Sequence, residues 1–275
     1  MNAWSCPYMK ICPFLGKEVC GHEKEKPVFL SYHSEKPTTA ECYIGHIINC
    51  WDEWLKLRKR WAPSVKRVLE SVTSTVLDEE TFQQAMGSVI LHHDVGKLTK
   101  EYQNKKFFRH EAISAYILYQ WLEELCQKNT WAAMFGAAVY LHHEGLQIAH
   151  KHFEMREPTY SYLINWLSPL EFYMIDGWNE LIAQINQKYL GVSISSNFKR
   201  KPITGFDIAE TLGSIMISVD GCTEPLVMRM GIAAILHPLT ICDNRAANKR
   251  GGIPSTISQA LAKFFNEGAL ARSEE

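Results

Sequence analysis

Apolar positions recur at helical spacing along most of this chain. Phe82, Ala85, Met86, Val89, Ile90 and His93 fall at i, i+3, i+4, i+7, i+8 and i+11, one face of a helix. The pattern turns helical from Glu41 onward. A second helix is predicted from about Arg109 to Gln127, and a third from about Trp131 to His143, ending near Gly145 as a C-cap. Residues 158–190 read as one or two aromatic-rich helices, and the Ser-, Gly- and Lys-rich stretch 191–205 as a loop. Further helices are expected at about Phe206 to Val219 and Glu224 to Ala247, then a short helix from about Ser255 and a polar tail. Strand signals are weak, the best being Val28-Phe29-Leu30-Ser31-Tyr32. The reading is an all-α protein. Residues 1–40 form an irregular, Cys-bearing N-terminal segment, 41–250 the helical domain, and 251–275 a C-terminal appendage.

At 275 residues with 46% hydrophobic and 21% charged residues, the composition is that of an ordinary globular protein. A chain of this length buries a sizeable core without disulfides. The formal net charge is −1, which argues against a general nucleic-acid coat protein but leaves room for a local basic patch. No stretch approaches the apolar length of a membrane span, since the run from Gly231 to Cys242 is interrupted by His237 and Pro238. The N-terminus lacks the charged start and apolar run of a signal peptide. A cytoplasmic location is expected, with the eight cysteines as thiols or metal ligands.

Ligand-type side chains sit on the core-facing stripes. His93 continues the apolar face of its helix, with Asp94 next to it. His110 opens its helix, with Ser114, Ile117 and Trp121 on one side. His142 and His143 end theirs, Asp243 lies at i+11 from Ile232, and His46 shares a side with Cys50 and Leu57. A single histidine on an apolar face is most often a core histidine with one hydrogen-bond partner. Four or five of them with two aspartates are hard to satisfy separately, because buried polar and charged groups need partners. Imidazole and carboxylate together suit divalent transition ions, so a shared metal site accounts for the whole set.

The run His93-Asp94-Val95-Gly96-Lys97 resembles the HD motif that names the HD superfamily. The fuller order resembles the HD nuclease domain of the CRISPR-associated type I interference nuclease-helicase. It comprises His46 in Gly45-His46-Ile47-Ile48, the HD run, Arg109-His110-Glu111, the doublet His142-His143, and Asp243 in Cys242-Asp243-Asn244-Arg245. The resemblance implies a helical bundle with a buried dinuclear site. His46, His93, Asp94 and Asp243 would hold one ion, and Asp94, His110, His142 and His143 the other, with Asp94 bridging. The ions would be Mn, Ni, Co, Fe or Mg. Such a pair polarises a phosphoryl group and activates a water at neutral pH. Asp94 and Lys97 are the expected catalytic residues, Lys97 through the scissile phosphate. The implied activity is hydrolysis of single-stranded DNA in CRISPR interference. No P-loop is present, so the implied partners are a separate helicase subunit and the effector complex. Alternatives stand at several positions: His92 for His93, His33 for His46, and Asp207 or Asp220 for Asp243. The rival functions are an HD phosphohydrolase of nucleotides or cyclic dinucleotides, and a non-catalytic metal-stabilised docking module.

Basic clusters occur at Lys56-Leu57-Arg58-Lys59-Arg60, Lys105-Lys106 with Arg109, Lys199-Arg200-Lys201, and Lys249-Arg250. Lys105, Lys106, Arg109, Lys249 and Arg250 flank the expected ligands and are the better candidates for phosphate contacts, together with Lys97. Cys6, Cys12, Cys20 and His22 could hold a structural metal, although their spacing matches no common zinc knuckle.

Overall fold

A computed structural model describes residues 30–32, 41–106, 109–127, 129–143, 165–192, 202–220 and 225–249. A short hairpin, β1 (Leu30–Tyr32) with β2 (Glu41–Cys42), leads into α1 (Tyr43–Thr73). Next come α2 (Glu79–His92), a 3-10 turn (Val95–Leu98), α3 (Lys100–Gln103), α4 (His110–Cys126) and α5 (Asn129–Leu141). They are followed by β3 (Glu171–Phe172), α6 (Trp178–Tyr189), β4 (Ile203–Thr204), α7 (Gly205–Asp220) and α8 (Pro225–Asn248). The fold is mostly helical, as expected.

Local chemistry explains the helix ends that matter. The thiol of Cys42 caps α1, accepting from the Gly45 N–H at 3.1 Å. Asp78 caps α2, accepting from the Thr81 N–H at 2.9 Å, and Glu79 and Glu80 complement the positive end of that helix. Phe82, Ala85, Met86, Val89, Ile90 and His93, the face read from the sequence, are all fully buried. That face stops at His93 because the chain leaves the α-helix there and tightens into the 3-10 turn.

The most extensive helix pairings are α1 with α8 and α4 with α5, and α2 packs against both α1 and α4. Trp54, Trp131, Phe82, Phe135 and Met86 fill the interior. By length and composition alone α8 could cross a membrane, contrary to the expectation that no stretch approaches a span. Its packing along α1, with Ile235, Leu239, Cys242 and Ala246 buried, is that of a core helix.

Several boundaries differ from the expectations. The helical reading of 158–190 holds in the described part for α6 but not for Glu171–Phe172, which pairs antiparallel with Ile203–Thr204. The second strand lies at the end of the stretch read as a loop. Two-residue strands carry no period long enough to see in sequence. Of the expected early strand, Leu30–Tyr32 is present. The C-terminal appendage, Cys6, Cys12, Cys20, His22, His33, the Lys199-Arg200-Lys201 cluster and Arg250 lie outside the described residues.

Candidate metal centre

Five elements deliver ligand-type side chains to one buried point. Near its N-terminus α1 supplies His46. The two residues that follow α2 supply His93 and Asp94, and the first residue of α4 supplies His110. The turn after α5 supplies His142 and His143, and α8 supplies Asp243. His46, His93, Asp94, His110 and His142 are buried.

The donor atoms form two groups, His46, Cys50, His93 and Asp243 in one, and Asp94, His110, His142 and His143 in the other. Within each group they lie within 4.8 Å of one another. Asp94 stands between the two. Its Oδ2 is 3.2 Å from His46 Nε2 and 3.6 Å from His93 Nε2. Its Oδ1 is 2.9 Å from His110 Nε2 and 3.5 Å from His142 Nε2. Asp243 Oδ1 closes the first group, 3.2 Å from His46 Nε2 and 3.7 Å from His93 Nε2. In the second, the Nε2 atoms of His143 and His110 are 3.2 Å apart.

Hydrogen bonds to the backbone fix two tautomers. His93 Nδ1 lies 3.0 Å from the Ile90 carbonyl oxygen, and His142 Nδ1 lies 2.5 Å from that of Val139. A carbonyl only accepts, so both Nδ1 atoms donate and each neutral ring turns an Nε2 lone pair inward. Among the described residues neither Nε2 has a hydrogen-bond partner. Both face carboxylate oxygens, which are also acceptors. Acceptors pointed at one another in a dry interior need a cation between them, and a histidine braced through its other nitrogen is the usual form of a metal ligand. The residues present therefore fit a divalent metal centre.

Charge states fit as well. Burial alone would raise the Asp94 carboxyl, but the Lys97 ammonium beside it holds it well below the usual range. Burial opposes ionisation of Asp243 too, yet the hydrogen bond from His46 keeps it far below normal. Burial lowers His110, and burial with repulsion from His142 and His110 lowers His143 further, whereas in the absence of an ion the Asp94 carboxylate outweighs burial and raises His142. Ionised carboxylates and neutral imidazoles are the forms that bind metal. Burial pushes the Cys50 thiol up to about 11 in the absence of an ion.

Among the sequence alternatives, His93 rather than His92 joins the group. The His92 ring turns the other way, its Nε2 2.6 Å from Asn186 Oδ1 on α6 and its ring edge-on to Trp121. Asp243, not Asp207, reaches the cluster. Asp220 ends α7, and its side chain lies outside the described residues. Lys97 is buried, its Nζ 2.6 Å from Asp94 Oδ2, which excludes a merely solvated lysine. Of the candidate phosphate contacts, Lys105 and Lys106 are exposed. Arg109 pairs with Glu111, and Lys249 pairs with Glu53 at 3.2 Å and Asn49 at 3.3 Å. Sequence reasoning placed Cys50 beside His46 without assigning it to the site. The i, i+4 spacing on one helix was the available signal. Asn186 and Glu53 carried none.

No protein-family profile matches the chain. Curated relatives do. The CRISPR-associated endonuclease Cas3-HD of Pyrococcus furiosus is 26% identical over 224 residues, covering 78% of this chain and 92% of that protein. The endonuclease of the same name from Thermoproteus tenax is 28% identical over 227 residues, covering 80% and 91%. The one from Methanocaldococcus jannaschii is 25% identical over 227 residues, covering 79% and 90%. The chain resembles a stand-alone Cas3-HD nuclease. The fold agrees with the solved Cas3 HD domain protein of Methanocaldococcus jannaschii, at a TM-score of 0.56 and 24% identity over 73% of this chain and 96% of that one. Likeness to Cas3-HD over nearly the full length of three relatives, joined to a buried cluster able to hold metal, supports a metal-dependent HD nuclease.

Proposed function

We propose that this protein hydrolyses phosphodiester bonds of single-stranded DNA in CRISPR interference, in the cytoplasm and beside a separate helicase subunit. The observation that carries the reading is the position of Asp94, with one carboxylate oxygen turned to each donor group. A carboxylate so placed is suited to bridge two ions. When bound, a pair of divalent cations supplies Lewis-acid activation of water and neutralises charge on the phosphoryl oxygens.

The protein's own residues prepare that chemistry. His46, His93, Asp94 and Asp243 would hold one ion, and Asp94, His110, His142 and His143 the other. The backbone carbonyls of Ile90 and Val139 orient two of the imidazoles. Lys97 holds Asp94 in place between the two donor groups, and its ammonium would sit beside the bound ions, where a phosphate would meet it. Lys105 and Lys106 are the exposed cations best placed in sequence to follow the DNA backbone, with Arg109, Lys249 and Arg250 in secondary roles. Manganese, nickel, cobalt, iron or magnesium would serve.

Incubation of end-labelled single-stranded DNA with the purified protein tests the reading, using EDTA or each of these ions in turn. Degradation that needs an ion and disappears with EDTA is expected. Turnover of nucleotides or cyclic dinucleotides without oligonucleotide cleavage would point to a small-molecule phosphohydrolase. Metal uptake with no hydrolysis of either substrate would point to a docking module.

A further inference from the structure

We propose that Cys50 is a thiolate ligand of the His46 group, and that this group is thereby selective for a thiophilic transition ion over magnesium. The inference rests on the reading of the cluster as a metal centre.

Cys50 stands one helical turn after His46 on α1, so the two side chains leave the same face. Its Sγ is fully buried and lies 3.6 Å from His46 Nε2. It is also within 4.8 Å of the donor atoms of His93 and Asp243. The thiol is free, with no disulfide to occupy it. A second observation points into the same place. His93 Nε2, wholly buried and without a hydrogen-bond partner among the described residues, is aimed at this group. Two imidazoles, a carboxylate and a sulfur form a mixed donor set of the kind zinc, cobalt, nickel and ferrous iron take. Magnesium asks instead for oxygen ligands in a regular octahedron and rarely accepts sulfur. The second group, with one carboxylate and three imidazoles, has no sulfur among the described residues, so the two positions differ in the ions they prefer.

Coordination balances simply. The S–H bond of Cys50 breaks, its proton leaves to solvent, and a sulfur–metal bond forms. The thiolate then adds its charge to those of Asp243 and the shared Asp94 around the dication.

The test uses the full chain, freed of metal by chelation and titrated with cobalt(II). Wild type, Cys50→Ser and Cys242→Ser are compared, with folding checked by circular dichroism. Cys6, Cys12 and Cys20 are common to all three, so differences report on the substituted position. In wild type and Cys242→Ser, near-ultraviolet sulfur-to-cobalt charge-transfer absorption is expected. In Cys50→Ser it falls by one thiolate's share while the visible cobalt bands persist. The preference for cobalt over magnesium drops by at least about tenfold, the lower bound for disturbing a ligand's surroundings. Cobalt bands with charge-transfer absorption unchanged in Cys50→Ser overturn the assignment of Cys50 alone. No uptake of cobalt by the wild type overturns the metal centre and the ligand together. If Cys50→Ser does not fold, crystals of cobalt-loaded wild type decide. An ion about 2.3 Å from Cys50 Sγ supports the assignment, and an ion at van der Waals distance overturns it.

Discussion

Gly96 lies against the backbone of His110 so closely that a Cβ built on it would fall 2.1 Å from the His110 carbonyl oxygen. The Gly96 N–H also donates to Ser114 Oγ at 2.9 Å. The glycine of the HD run thus sets how near α4 comes to Asp94, and with it the 2.9 Å approach of His110 to that carboxylate. Gly96→Ala has to push α4 away, since backbone rather than a flexible side chain is in the way. Overpacking of this kind costs about 1–3 kcal/mol. Urea denaturation should show that loss, and manganese titration should show weakened binding in the second group. Wild-type stability and metal affinity in Gly96→Ala would mean that the approach is not tight.

Lys97 and Asp94 form a buried ion pair at 2.6 Å. Removing one partner of such a pair typically costs about 3–5 kcal/mol, because the other charge is left in the interior. An ion on Asp94 compensates that charge. Lys97→Met should therefore be strongly destabilised in EDTA and much less so in saturating manganese, as read by thermal unfolding in the two conditions. Equal destabilisation in both would separate Lys97 from the metal centre.

The adjacent histidines should behave oppositely. His93 aims at the cluster, whereas His92 is bound to Asn186 and packed on Trp121. His93→Ala should lose metal and activity together. His92→Leu should keep its metal stoichiometry and lose about 1–3 kcal/mol of stability, because Asn186 is left buried without its partner. Burial holds His92 near a pKa of about 4, so its ring is neutral at working pH and the substitution removes no charge.

The basic candidates divide by what they already hold. Lys105 and Lys106 are exposed, while Lys249 is tied to Glu53 and Asn49 and Arg109 to Glu111. Substituting Lys105 or Lys106 with Ala should weaken single-stranded DNA binding and shallow its salt dependence by about 0.7 for each phosphate no longer neutralised. Lys249→Ala should act first on stability, by releasing Glu53 at the junction of α1 and α8. Fluorescence anisotropy across a salt series and denaturant melts distinguish the two effects.

Much of this was legible in the sequence, for identifiable reasons. The long helices carry a 3.6-residue period, and the face from Phe82 to His93 ends at the buried His/Asp cluster as that period required. His46, His110, the His142-His143 doublet and Asp243 stood out as candidates because each lies near the start or end of such a face, and the fold brings them together. The two-residue strands were not legible, since pairing between Glu171–Phe172 and Ile203–Thr204 is set by tertiary contact and not by local pattern. Neither was the division of labour between His92 and His93. Helical phase put His93 inward, but the partner that claims His92, Asn186, lies 94 residues away along the chain. The burial of Lys97 was not legible either, because a lysine after glycine looks solvated until the 3-10 turn folds it back onto Asp94.

The central claim is that Asp94 joins two metal positions. Crystals equilibrated with manganese and measured at the manganese absorption edge test it directly. Two anomalous peaks are predicted, one among His46, His93 and Asp243 and the other among His110, His142 and His143, each bonded to a different oxygen of Asp94. A single peak, or none among these residues at saturating manganese, would contradict the account.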